Sequence, residues 1–91
     1  MANENEILME DCCRYYSIET SFVQTLFDQG LVRLEYHDES YFIHHDQLAL
    51  LEKYMHLHYD LEINMEGIEA ISHLLKKIEH LQAALRQQKI R

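Results

Sequence analysis

Hydrophobic residues recur at intervals of three and four along the first third of the chain, which is the spacing of one face of a helix. This pattern predicts a first helix over residues 7–16 and a second over residues 19–29. The break between them falls at Ser17-Ile18. Gly30 follows the second helix and is typical of the left-handed residue at which a helix ends. The chain is therefore expected to begin with two short helices.

The next stretch changes to an alternating pattern. Residues 31–36 alternate in part between apolar and polar side chains, and residues 41–43 are aromatic and β-branched. With the polar residues 37–40 as a four-residue turn, this pattern predicts a small β-hairpin. A third helix is expected over residues 45–59, followed by a short connection over residues 60–64.

A longer helix is predicted for the C-terminal part. Asn64 is a good N-cap, and apolar residues then recur alternately three and four apart as far as about Gln88, which is the a/d pattern of a coiled coil. The seam is formed by Ile71, Leu74, Ile78, Leu81 and Leu85. Such a helix is roughly 37 Å long, more than the rest of the chain covers. We therefore expect a homodimer along this seam, with a helix folded back on its own domain as the alternative.

The order of these elements predicts the fold. Two helices, a hairpin, a helix and a long helix are the order of a winged helix-turn-helix, so a mainly α fold is expected, with the hairpin as its wing and a C-terminal coiled-coil helix. Residues 1–62 form the expected winged domain, and residues 63–91 the helix that dimerises or packs on a partner. The 91 residues are too few for two independent cores.

Charge is unevenly distributed along the chain. The formal net charge is −8 at pH 7. Residues 1–52 hold eleven acidic residues and two arginines, whereas residues 53–91 hold five acidic residues and six basic ones. The first part would be repelled by a phosphate backbone and attracted by a basic protein surface.

Motifs for catalysis or cofactor binding are missing from the sequence. It has no Gly-rich phosphate loop, no Gly-x-Ser-x-Gly and no Cys–His signature, so a non-enzymatic protein without a cofactor is expected. Cys12 and Cys13 are interpreted as buried, inert thiols of a reduced protein. The histidines lack the i,i+4 pairing of a helical metal site, and although His37, Asp38 and His44 could converge near the hairpin turn, nothing in the sequence specifies it.

The location expected from the sequence is the cytoplasm. No apolar run approaches the ~18 residues of a membrane helix, so no membrane partner is expected. The N-terminus is acidic and lacks the basic region of a secretory signal.

Several short motifs occur in the same order as in a known superfamily and support the winged helix-turn-helix fold. Residues 11–32 align without a gap on the helix-turn-helix of MerR-type regulators, and Gln29-Gly30-Leu31-Val32 falls where that family turns into its wing. The chain resembles most the chaperone-modulator (CbpM-like) branch. The likeness rests on an aromatic strand leading into a helix, residues 41–48, and on a leucine-acid-aliphatic stretch followed by Gly-Ile, residues 61–68. The resemblance spans roughly residues 6–88.

This resemblance implies a protein that binds and inhibits the J-domain of a DnaJ-like co-chaperone. A J-domain presents a basic helix to its Hsp70 partner, and an acidic domain that covered this helix would compete. Charge complementarity supports the same partner. The surface expected to bind it consists of Glu19, Asp28, Glu35, Asp38 and Glu39.

A MerR-type transcriptional regulator that binds DNA is the alternative. Its DNA-facing residues would be Thr20, Ser21, Gln24 and Arg33. Where that superfamily has an Arg-Tyr-Tyr group for gripping phosphates, the alignment places residues 24–26, Gln-Thr-Leu. Residues 19–29 contain no Lys or Arg, which disfavours DNA without excluding it. A small-ligand or metal sensor is a third and weaker interpretation.

Overall fold

Two short helices and a three-stranded antiparallel sheet form the N-terminal half of the fold, and a long helix ends it. The computed structural model describes residues 4–89 of the chain. The elements are β1 (Glu6–Leu8), α1 (Met9–Tyr16), α2 (Thr20–Asp28), β2 (Glu35–His37), β3 (Ser40–His44), α3 (Leu48–Met55) and α4 (Met65–Lys89). The expected mainly α winged helix-turn-helix is confirmed.

The turn between α1 and α2 is fixed by backbone hydrogen bonds. Ser17 adopts the left-handed conformation with φ 58°, and the N–H of Ile18 donates to the carbonyl of Cys13 at 2.9 Å. Gly30 has φ 76°, which confirms it as the left-handed residue after α2. The N–H of Leu31 then donates to the carbonyl of Leu26 at 2.8 Å, so the chain turns directly from the helix into the wing.

A third strand precedes the first helix. Residues 7 and 8 were expected to be helical, but they belong to β1, which pairs with β3 so that Ile7 lies opposite Ile43. The prediction was wrong because three residues are too few to show a periodic pattern. This strand forms because it pairs with β3, which is distant in the sequence. The central strand is β3, with β1 on one side and β2 on the other.

The turn of the wing is tighter than expected. Instead of a four-residue turn over 37–40, only Asp38 and Glu39 connect the strands, because His37 already pairs with Ser40. Both turn residues have positive φ, 51° and 62°. This is the mark of the type I′ turn, whose twist matches that of the flanking strands.

The third predicted helix is divided into three parts. Residues 45–47 form a 3₁₀ turn, α3 follows, and residues 56–60 form a π-helical turn. The imidazole Nδ1 of His44 accepts from the N–H of Asp46 at 3.1 Å and so caps the start. Leu61 donates its N–H to the carbonyl of His56 at 3.1 Å, which closes the wide last turn.

The core lies between the helix-turn-helix, the inner face of the sheet, α3 and the first turns of α4. Its buried hydrophobic residues are Cys12, Cys13, Phe22, Val23, Leu26, Leu31, Val32, Ile43, Leu51, Tyr54 and Ile68. Asn64 caps α4 as predicted, since its side chain accepts from the N–H of Gly67 at 2.8 Å. Buried Ile68 and Ser72 anchor α4 to the body. Within residues 4–89, no helix has the length and apolar character needed to cross a bilayer.

Candidate functional site

The exposed side of α2 holds acidic and hydroxyl side chains. Thr20, Ser21 and Asp28 are exposed, and Glu19 is exposed at the N-cap position. The helix contains no Lys or Arg. Glu19 and Asp28 stand at its two ends, about 13 Å apart along the axis. The whole length of this helix therefore presents negative or neutral groups to a partner.

Polar side chains of α2 are bonded within the helix itself. The amide Nε2 of Gln24 donates to Oδ1 of Asp28 at 3.1 Å. The hydroxyl of Thr25 donates to the carbonyl of Ser21 at 2.9 Å. Gln24 was predicted to face DNA if the protein is a transcriptional regulator. In the structure it is half-buried, and its amide is bonded to the Asp28 carboxylate.

The three acids of the wing lie in two places. Asp38 and Glu39 form the exposed turn. Glu35 lies on β2, and its carboxylate reaches that of Glu6 on β1. A hydrogen bond to the Glu6 carboxylate raises the pKa of Glu35. The five acids predicted to bind a partner therefore form an α2 group and a wing group on the same domain.

His37 lies between Glu6 of β1 and Asp38 of the wing turn. Its Nε2 lies 2.9 Å from Oε1 of Glu6, and its Nδ1 lies 3.3 Å from Oδ2 of Asp38. The hydrogen bond to Glu6 raises the pKa of His37. The place of Glu6 in this cluster was not predicted, because Glu6 lies on β1, the strand that the sequence pattern does not indicate.

A basic groove lies between the start of the wing, α3 and α4. Arg33, Lys53 and Lys76 line it, together with Ser72 and Glu79. Arg33 also lies 3.5 Å from the Asp46 carboxylate. Of these three basic residues only Arg33 was predicted to lie at a binding surface, because residues 53 and 76 come together with it only through the packing of α3 against α4.

The seam predicted on α4 is largely exposed. Leu74, Ile78, Leu81 and Leu85 are between 48% and 60% exposed, and Ile71 is half-buried near the body. Four large apolar side chains in one stripe are a surface that soluble proteins usually cover.

The cysteines carry no exposed nucleophile. Cys12 and Cys13 are both buried and unpaired, as expected from the sequence. Burial and the neighbouring Cys13 thiol raise the pKa of Cys12 to about 11. Such a thiol stays protonated at neutral pH and is a poor nucleophile.

Residues 7–89 match the family described as MerR HTH family regulatory protein. No curated protein and no solved structure matches the chain. The match covers the helix-turn-helix, the wing and the whole of α4.

Proposed function

The chain belongs to the MerR HTH family of regulatory proteins, and within this family we propose that it is a non-enzymatic chaperone modulator that binds and inhibits the J-domain of a DnaJ-like co-chaperone. The charge of α2 carries this proposal. Residues 20–28 contain no basic side chain, and Glu19 and Asp28 stand at the two ends of the helix. This surface repels duplex phosphates and attracts a basic helix.

The wing extends the acidic surface beyond α2. Asp38 and Glu39 are exposed on a two-residue turn, which places the two carboxylates next to each other. Glu35 lies at the base of the same hairpin. In the proposed complex, α2 and the wing together contact the basic helix of the J-domain.

Inhibition follows from competition for one surface. A J-domain acts on its Hsp70 partner through the basic helix, and a chain that covers this helix prevents that contact. No bond is made or broken, so the protein needs neither a nucleophile nor a cofactor. The buried, unpaired thiols of Cys12 and Cys13 fit a reducing compartment, and we place the complex in the cytoplasm.

A homodimer is part of the proposal. The exposed stripe of Leu74, Ile78, Leu81 and Leu85 has a/d spacing, and a second copy of α4 offers the same stripe in return. Pairing would remove these side chains from water and present two acidic domains at the two ends or sides of one coiled coil.

Calorimetric titration of the chain with a J-domain tests the proposal. The triple variant Glu19→Lys, Asp28→Lys, Glu35→Lys is expected to lose binding. Its matched control is Glu62→Lys, Glu66→Lys, Glu79→Lys, which makes the same change in net charge at exposed positions outside α2 and the wing. Equal losses in both triple variants, or no binding by the natural sequence, would contradict the proposal.

The basic groove favours DNA binding as the second candidate function. Arg33, Lys53 and Lys76 could contact phosphates while Thr20 and Ser21 faced base edges. A gel shift with genomic fragments at low salt tests it. Sequence-specific retardation that is lost in Lys53→Glu, Lys76→Glu would establish this function in place of the first.

A further inference from the structure

Two carboxylates and an imidazole lie together on the face of the sheet that is turned away from the core. In the strand register Glu6 lies opposite His44, and Glu35 lies opposite Phe42. Residues paired across neighbouring strands share a face, as do residues two apart along one strand. Glu6, Glu35 and His37 therefore project from the same side, one from β1 and two from β2.

The three side chains are close enough to hold one ion between them. A carboxylate oxygen of Glu6, one of Glu35 and a ring nitrogen of His37 all lie within 4.8 Å of one another. The ligand atoms of a tetrahedral Zn²⁺ with bonds of about 2.1 Å are about 3.4 Å apart. Oε1 of Glu6 and Nε2 of His37 are 2.9 Å apart, so the separations in the cluster bracket the spacing that one ion requires.

The imidazole of His37 is oriented as a metal ligand usually is. Its ring stacks on Phe42 with centroids 4.2 Å apart and 2° between the planes. Its Nδ1 lies 3.3 Å from the Asp38 carboxylate, so Nε2 is turned toward Glu6. In metal sites the nitrogen that does not bind the ion commonly donates to such a carboxylate, which fixes the tautomer.

Glu6 is buried beside a second carboxylate. Only 4% of its side chain is exposed, and Glu35 lies against it. His37 already pairs with Glu6 at 2.9 Å, and a divalent ion held by all three side chains would neutralise both carboxylates. His37 is one-third exposed and Glu35 is exposed, so an ion has a path to the cluster from solvent.

We propose that Glu6, Glu35 and His37 bind one divalent transition-metal ion of the Zn²⁺ type, with water as the fourth ligand. One nitrogen and two oxygens suit zinc, whereas Mg²⁺ and Ca²⁺ prefer oxygen ligands alone. The ion takes the place of the proton between His37 Nε2 and Glu6, and that proton is released to solvent. It ties β1 to β2, which are not neighbours in the sheet. The site shares Glu35 with the proposed partner surface, but its test uses Zn²⁺ alone, so the failure of one proposal is distinguishable from the failure of the other.

Calorimetry of the full chain with Zn²⁺ alone tests the site. The natural sequence is expected to bind one ion per chain tightly and to melt at a higher temperature with zinc present. Glu35→Gln and His37→Asn should each weaken binding at least tenfold, and Asp38→Asn, which acts through His37, should weaken it about tenfold. Circular dichroism without zinc confirms that each variant is folded.

His56→Asn is the matched control, because His56 also pairs with a carboxylate, Asp60, at 2.8 Å, but outside the cluster. Its zinc affinity and melting shift should equal those of the natural sequence. The site is refuted if no ion binds, if Glu35→Gln and His37→Asn bind as tightly as the natural sequence, or if His56→Asn causes the same loss as they do.

Discussion

Gln24 donates a hydrogen bond from its side-chain amide to the carboxylate of Asp28, one turn further along α2, at 3.1 Å. A helix that reads DNA offers its amide groups to base edges and its cations to phosphates. Here the amide at the centre of α2 is bonded to an acid of the same helix. While this bond is made, the Gln24 amide is not available to a base edge.

Asp28→Lys should increase the affinity of the protein for duplex DNA. The change removes the acceptor of the Gln24 amide and puts a positive charge where a negative one stood, so retention of duplex DNA at low salt should rise several-fold. A filter-binding or gel-shift series measures it, and each phosphate gained adds about 0.9 to the salt slope. Glu66→Lys makes the same charge change on α4. If both variants gained equally, the charge of α2 would not govern DNA binding.

Dimer formation should depend on the exposed stripe of α4. Ile78→Asp with Leu81→Asp is expected to give a monomer in sedimentation-velocity experiments, because a charge in a coiled-coil seam cannot be buried without a partner. His80→Asp with Gln87→Asp introduces the same residue at exposed positions of α4 that lie away from the seam and should leave the dimer intact. A natural sequence that sediments as a monomer at all concentrations would refute the seam.

Thiol reactivity should report unfolding. At pH 8 a thiol with the Cys12 pKa of about 11 has about 100-fold less thiolate than one at the unperturbed value of 9.0. Burial also keeps reagents away from both cysteines. Ellman's reagent is therefore expected to react with neither thiol in the native protein and with both in urea. Rapid reaction of native Cys12 would show that α1 opens readily.

The wing turn can be made more stable. Glu39 has a φ of 62°, which is strained for a residue with a side chain and unstrained for glycine. Glu39→Gly should raise the free energy of unfolding by about 0.5–1 kcal/mol in urea titrations. Glu39→Ala keeps the strain while it removes the same charge, so it should show no such gain. Equal effects of the two changes would assign the gain to charge.

The spacing of apolar residues was sufficient to predict the helices that have a clear apolar face. The apolar face of α2 and the a/d spacing of α4 are visible in sequence, and Gly30 and Asn64 mark the helix ends that the structure has. The hairpin was also predicted, although its turn proved to be two residues long, because positive φ at Asp38 and Glu39 has no clear signal in non-glycine residues.

Groups that converge only in the folded chain were beyond prediction. Lys53 and Lys76 line a groove with Arg33 through the packing of α4 on α3, and nothing in the spacing of these residues indicates it. Glu6 reaches His37 because a three-residue strand pairs at the edge of the sheet. Such contacts are set by tertiary packing rather than by local periodicity.

The proposed function is best tested by comparing how the natural sequence binds a J-domain and how it binds duplex DNA. Fluorescence anisotropy of the labelled chain would be followed with a J-domain and with duplex DNA, each between about 50 and 200 mM salt. We expect binding to the J-domain that weakens as salt rises, with no specific binding to DNA. Specific binding to a duplex, with no response to the J-domain at any salt concentration, would contradict it.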